Sequence, residues 1–163
     1  MARFSFNARK MREYINKMAA LGELHDHIES KALYAATHIY ADELRRQTAA
    51  LPVQNGMAAS GDMIHVLSER QKQALLSSID IYKVHPKRSG LMVYSVGFVG
   101  YNDIQTRKYP KGQPNRLIAA SVNSGSSVRA KDPFVRRTWS ATHEKCVQAM
   151  KDIVDAEYNA ILK

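Results

Sequence analysis

Residues Arg116–Lys163, RLIAASVNSGSSVRAKDPFVRRTWSATHEKCVQAMKDIVDAEYNAILK, decide the fold, and the rest of the chain is arranged around them. Asp132-Pro133 marks a helix start: Asp can accept from the first free N–H groups, and Pro at the first helical position has no N–H to leave unsatisfied. Beyond it Trp139, Cys146, Val147, Met150, Ile153, Val154, Tyr158, Ile161 and Leu162 recur at helical spacing. They predict a C-terminal helix over 133–162 with one buried apolar stripe, about eight turns long. Before it lies the loop Asn123-Ser124-Gly125-Ser126-Ser127, and before that a short Ala-rich segment, 114–122, opened by Pro114, which reads as a helix.

Working outward, the composition is that of a globular chain. It has 163 residues, 45% of them apolar, enough for one domain with a sizeable core. No stretch is long and apolar enough to cross a membrane. The N-terminal MARFSFNARKMREY lacks the apolar run of a secretory signal. A single cysteine, Cys146, can form no internal disulfide. Its place on the apolar stripe makes it a small buried hydrophobe rather than a nucleophile. These features fit a protein made in a reducing cytoplasm.

The charge is unevenly distributed. Of a formal net +9, the stretch Lys83–Arg137 holds eleven Lys/Arg against two Asp/Glu, and the remaining residues hold thirteen of each sign. The bases are Lys83, Lys87, Arg88, Arg107, Lys108, Lys111, Arg116, Arg129, Lys131, Arg136 and Arg137. A solvated surface accounts for bases in general. Confinement of the whole excess to a third of the chain favours a surface facing a polyanion or an acidic protein. Arg136 and Arg137 sit in the first turn of a helix, where the dipole favours acids. That placement suggests they serve a contact, and pairing with Asp132 or a distant Glu explains it equally well.

Towards the N-terminus the pattern is helical over 7–51. Asn7 can cap a helix striped by Met11, Tyr14, Ile15, Met18 and Leu21, with Gly22 as its stop. A second helix, from about Asp26 to Ala50, buries Ile28, Ala32, Ala35, Ala36, Ile39, Tyr40, Leu44 and Leu51, and its small residues allow close packing. Pro52 ends it. A loop covers 52–66. Ser68-Glu69-Arg70-Gln71 is a capping box that opens a short helix within 68–78. Ile79–His85 and Leu91–Val99 read as two strands of a hairpin joined by Pro86–Gly90, within 79–100, with Gly97 and Gly100 as candidate bulge or close-approach positions. The basic loop 101–131 begins with a long polar connection, Tyr101–Gln113, of the kind that is functional or disordered until bound. Tyr101 and Tyr109 stand among its bases, able to stack on nucleobases or to close the loop. Together the elements predict one α+β domain: N-terminal helices and a long C-terminal helix on a small antiparallel sheet.

Catalytic signatures are missing from the sequence. His25, His27, His38, His65, His85 and His143 include no pair at metal spacing with a third ligand nearby. There is no phosphate-binding glycine loop and no nucleophile elbow. Asp103 and Asp132, the two acids of the basic stretch, do not form a carboxylate pair in sequence. The chain therefore reads as a non-enzyme without a cofactor or metal.

One resemblance is carried by the order of short words. Leu75-Leu76-Ser77-Ser78-Ile79 steps into a hairpin, Ala119–Gly125 ends in Gly125-Ser126, and Asp132-Pro133-Phe134-Val135-Arg136 opens the last helix. This order, over most of 8–163, resembles the small neck or tail-completion proteins of long-tailed bacteriophages and prophages. Gly125, Asp132, Pro133 and Phe134 fall on the family's structural motifs. The chain departs from the pattern at Asn123, where the family has an acid, at Arg137, where it has Pro, and in the length of 101–115. The resemblance implies a structural virion protein of the neck or tail, made in the host cytoplasm and taking part in head–tail joining. It implies a homo-oligomeric ring, six-fold, touching tail-tube and head-closure or connector proteins and, transiently, the phage DNA. The competing reading is a nucleic-acid-binding module that uses 83–137, and a third is a monomeric interaction protein or chaperone of phage assembly.

Overall fold

The computed structural model describes residues 8–53, 67–84, 93–126 and 129–162. In chain order these form α1 (Ala8–Ala49), α2 (Glu69–Ser77), β1 (Ile79–Val84), β2 (Val93–Phe98), α3 (Asn115–Ser124) and α4 (Phe134–Leu162). The architecture is α+β, with the helices packed on a two-stranded antiparallel sheet. Among the described residues no helix is long and apolar enough to cross a membrane. Asn7, residues 54–66 of the expected loop 52–66 and the expected hairpin connection Pro86–Gly90 lie outside the described residues.

The first correction concerns Gly22, which does not stop a helix: α1 runs unbroken through it for 42 residues, about 63 Å. A lone glycine costs a helix only about 1 kcal/mol relative to Ala, and no proline interrupts 8–49. The helix ends where Pro52 requires, tightening in its last turn as Leu51 N–H donates to Thr48 O at 3.2 Å.

α4 lies antiparallel along α1. Lys31 pairs with Glu157, the Cys146 thiol donates to Ala36 O at 3.3 Å, and Arg137 Nε donates to Gln47 Oε1 at 3.4 Å, so partner numbers fall as α1 advances. The seam is built of small residues. On α1, Ile28, Ala32, Ala36, Ala41, Leu44 and Thr48 are buried; on α4, Phe134, Thr138, Thr142 and Cys146 are buried at four-residue steps. Each buried threonine satisfies its hydroxyl within its own helix: Thr48 Oγ1 on Leu44 O at 2.7 Å, Thr138 Oγ1 on Phe134 O at 2.9 Å, Thr142 Oγ1 on Thr138 O at 2.8 Å. With the hydroxyl so bonded, each offers a methyl to the facing helix. The expected stripe is therefore turned. Trp139, read as core, is 54% exposed, and Met150, Ile153, Val154 and Tyr158 are half-buried.

The main core gathers where the C-terminal end of α1, α2, α3, the sheet and the first turn of α4 meet. Ala41, Leu44, Leu51, Leu67, Leu75, Ile79, Ile118, Ala119, Val122 and Phe134 form one buried cluster. Phe134 is fully buried and meets Phe98 edge-on, ring centroids 6.0 Å apart. The capping box of α2 is complete, with Gln71 N–H on Ser68 Oγ at 3.2 Å and Ser68 N–H on Gln71 Oε1 at 3.4 Å. Its last turn passes straight into β1. Leu75 and Ile79 are buried, and the Ser78 hydroxyl donates to Leu75 O at 2.9 Å, which accounts for the leucine–serine–isoleucine step. The strand register runs without interruption from Ile79↔Phe98 to Val84↔Val93, so Gly97 marks no bulge.

Candidate basic interface

Two glycines and two asparagines shape the basic stretch. The connection from Val99 to Pro114 is ordered around buried Asn102, whose backbone N–H donates to Gln113 O at 2.9 Å and whose Oδ1 accepts from Gln113 N–H at 2.8 Å and Ile104 N–H at 3.0 Å. Gly112 has φ +100°, and a Cβ there would lie 1.8 Å from Asn102 O, so only glycine closes this loop. Gly125 ends α3 with φ +79°, and a Cβ on it would press against Arg129 O and Lys131 at 3.2–3.3 Å. The chain then folds back, with Asp132 N–H donating to Val122 O at 2.8 Å.

The start of α4 differs from the sequence expectation in one residue's role. Pro133 O accepts the first helical bond, from Arg137 N–H at 3.0 Å, so Pro133 holds the cap position and has no side-chain acceptor to offer. The acceptor comes from another element: Asn123 Oδ1, on α3, takes Val135 N–H at 3.2 Å. Asp132, expected as the cap, instead forms an ion pair with Arg137 at 2.5 Å.

The bases predicted to face a partner fall into three groups. Lys87 and Arg88 lie outside the described residues. Arg129 and Arg137 are engaged within the fold. Arg129 donates to Ser121 Oγ at 2.9 Å and Gln71 Oε1 at 3.0 Å, bridging α3 to the cap of α2, while Arg137 serves Asp132 and Gln47. The dipole-opposing placement of Arg137 is thus explained by local pairing. Lys83, Arg107, Lys108, Lys111, Arg116, Lys131 and Arg136 are exposed, and among the described residues no carboxylate lies within ion-pair distance of them. Lys83 Nζ sits 6.0 Å from the Tyr94 ring centre and Lys108 Nζ 5.6 Å from that of Tyr109.

Both acids of the stretch are neutralised by arginine. Asp103 pairs with Arg70 at 2.5 Å, and that bond holds its carboxyl below the usual carboxylate range. With Asp103 and Asp132 both occupied, neither acid of the stretch is left to offset its exposed bases. Tyr101 closes the loop through its backbone, in an antiparallel bridge with Pro114, while its ring stands 66% exposed; Tyr109 is half-buried.

A second surface escaped the sequence reading because Trp139 was assigned to the core. An apolar cleft of about 500 Å³ lies between α1, β2 and α4, lined by Leu33, Ala36, Tyr40, Tyr94, Val96, Trp139, His143, Cys146, Val147 and Met150. Trp139 stacks at a tilt on His143, centroids 5.1 Å apart, at its rim. Cys146 is buried at its floor, and burial pushes its thiol pKa up, away from nucleophilic use. Among the described residues no three His, Cys, Asp or Glu side chains converge on a metal position. No protein-family model, no curated protein and no solved structure matches the chain.

Proposed function

We propose that the chain is a structural protein of a phage neck or tail end, acting in tail completion and head–tail joining as one subunit of a ring around the DNA passage. The observation that carries this reading is the single-signed set of exposed bases on the loops and helix starts between Lys83 and Arg136, with both local acids already paired. The order of sequence words that resembles the neck proteins supplies the biological setting. A passage for DNA needs positive charge that attracts without gripping, and exposed bases spread over loops meet that requirement. The apolar cleft beside exposed Trp139 adds support, because a surface of that kind is more often covered by another protein than left to water. Closed rings are built from such unlike, side-to-side contacts.

The test replaces Lys108, Lys111, Lys131 and Arg136 with Gln. These four are exposed and unpaired among the described residues, so folding should stay within about 1 kcal/mol of wild type. Arg129 and Arg137 are excluded because each holds internal partners. Fewer infectious particles, with heads and tails accumulating apart under the electron microscope, is the expected result. Normal yield from a folded variant would refute the assignment. Exposed Tyr101 beside these bases also suits the competing reading, a nucleic-acid-binding module. Tight, salt-dependent retention of the isolated monomer on DNA would favour that module over the ring.

A further inference from the structure

A small cavity of about 210 Å³ opens between the first turn of α2, the end of the Asn102–Gln113 loop and one face of α3. Gln71, Tyr109, Gln113, Ser121, Ser126 and Arg129 line it, with Leu117, Pro114 and Ile118 forming the apolar wall. Its one charged group is the half-buried Arg129 guanidinium. The two bonds Arg129 makes go to neutral acceptors, Ser121 Oγ and Gln71 Oε1. Among the described residues no carboxylate lies within ion-pair distance of it. By contrast Arg45, Arg46, Arg70 and Arg137 each have a carboxylate partner. Desolvation lowers the pKa of Arg129, the response of a cation that has given up water without gaining a counter-charge.

Two of the neighbouring polar groups, Gln71 and Ser121, are already committed. The Gln71 amide nitrogen donates to Gln113 Oε1 at 2.9 Å, so its oxygen is fixed toward Arg129. The Ser121 hydroxyl donates to Ile118 O at 2.8 Å, leaving a lone pair for Arg129 and no proton for a guest. The charge of a guest is met by the remaining guanidinium N–H groups, whose fork matches a carboxylate, with the Gln113 amide as a neutral donor in the same lining. A single guanidinium balances one negative charge. Lys108 does not line the cavity, so a phosphate dianion would set its second charge against Leu117, Ile118 and Pro114, with the exposed Lys108 ammonium outside on the Tyr109 ring. The volume suits a group of about ten non-hydrogen atoms at interior packing density.

We propose that this cavity binds an apolar monocarboxylate, its carboxylate on Arg129 and its stem against Leu117, Ile118 and Tyr109. The site adjoins one exposed base, Lys108, whose Nζ lies 5.6 Å from the Tyr109 ring centre, and it stands whether or not the ring reading does. A free branched-chain acid and the carboxyl terminus of a polypeptide share this chemistry. 4-Methylpentanoate probes the first and N-acetyl-leucine the second.

The experiment follows the Arg129 Nε–H resonance by NMR on the full chain during titration to tens of millimolar. Saturable shifts with 4-methylpentanoate or N-acetyl-leucine are expected, the tighter of the two naming the source. 4-Methylpentanamide and inorganic phosphate should bind at least about tenfold more weakly. Because Arg129→Gln removes two internal bonds, the companion variant is Leu117→Glu. Leu117 is 50% exposed on α3, and its replacement brings a tethered carboxylate to the rim without disturbing the core. It should weaken the titration at least about tenfold at unchanged melting temperature. No saturable shift with either acid, an equal response to the amide, tighter binding of phosphate, or undiminished binding in Leu117→Glu would each overturn the proposal.

Discussion

Replacing Phe134 with Ala should destabilise the fold about three times as much as replacing Trp139, although Trp is the larger residue. Phe134 is fully buried at the start of α4. Taking about 200 Å² of apolar surface at ~25 cal/mol per Å² gives about 5 kcal/mol, which a compact unfolded state reduces to 3–4.5. Loss of the edge-on contact with Phe98 and the cavity left behind restore part of that, so about 4 kcal/mol is expected. Trp139 is 54% exposed, its covered half resting on Tyr40 and His143. The His143 contact is four residues along the same helix and survives in part in the unfolded chain. Its truncation should cost about 1.3 kcal/mol. Urea unfolding followed by circular dichroism, with a common slope for all variants, measures both. A Trp139→Ala loss equal to or larger than that of Phe134→Ala would refute the seam of Phe134, Thr138, Thr142 and Cys146 and restore the stripe centred on Trp139.

Other outcomes follow from single contacts. Gly112→Ala should cost about 3 kcal/mol, combining a left-handed φ with a Cβ placed against Asn102 O, while Gly22→Ala, with nothing within 4 Å, should stabilise by about 0.5–1 kcal/mol; paired thermal melts compare them. Asn123→Ala should cost about 1 kcal/mol by uncovering Val135 N–H, and Asn123→Asp should keep or raise stability at neutral pH. Acid should weaken the fold through depressed carboxylates. Hydrogen bonds from Arg46 and Gln47 pull Glu43 to about 2, and Arg70 and Lys31 lower Asp103 and Glu157. The contribution of Glu43 is complete above its ordinary value of 4.5 and is lost as pH falls toward about 2, and those of Asp103 and Glu157 are lost in the same direction, so the melting temperature should drop on acidification, and less steeply in Glu43→Gln.

Local chemistry made much of the fold legible. The Ser68–Gln71 capping box, the two strands of the hairpin, the glycine at 125 and the Phe134 motif all act within a few residues, and each stands where the pattern placed it. The failures share a cause, which is that the deciding partner is distant or hidden. Thr138 and Thr142 read as polar until their hydroxyls are seen bonded inside the helix. The cap of α4 comes from Asn123, twelve residues from the Val135 amide it serves, so Asp132 took its place in the sequence reading. The pairing of Arg137 with Asp132 is one of the two readings its sequence position allows, whereas the bonds of Arg129 to Gln71 and Ser121 and of Arg137 to Gln47 join neighbours that meet only in the folded chain. Of the candidate site, the excess of charge was visible in the sequence, whereas the division between exposed and internally held bases was not.

The proposed role in joining heads to tails makes a sharp demand on particles assembled without the chain. Particles assembled from a phage genome lacking its coding sequence, viewed by electron microscopy, should appear as DNA-filled heads and separate, unjoined tails, with joining restored when the protein is supplied in trans. Joined, infectious particles at wild-type yield in its absence would contradict the account.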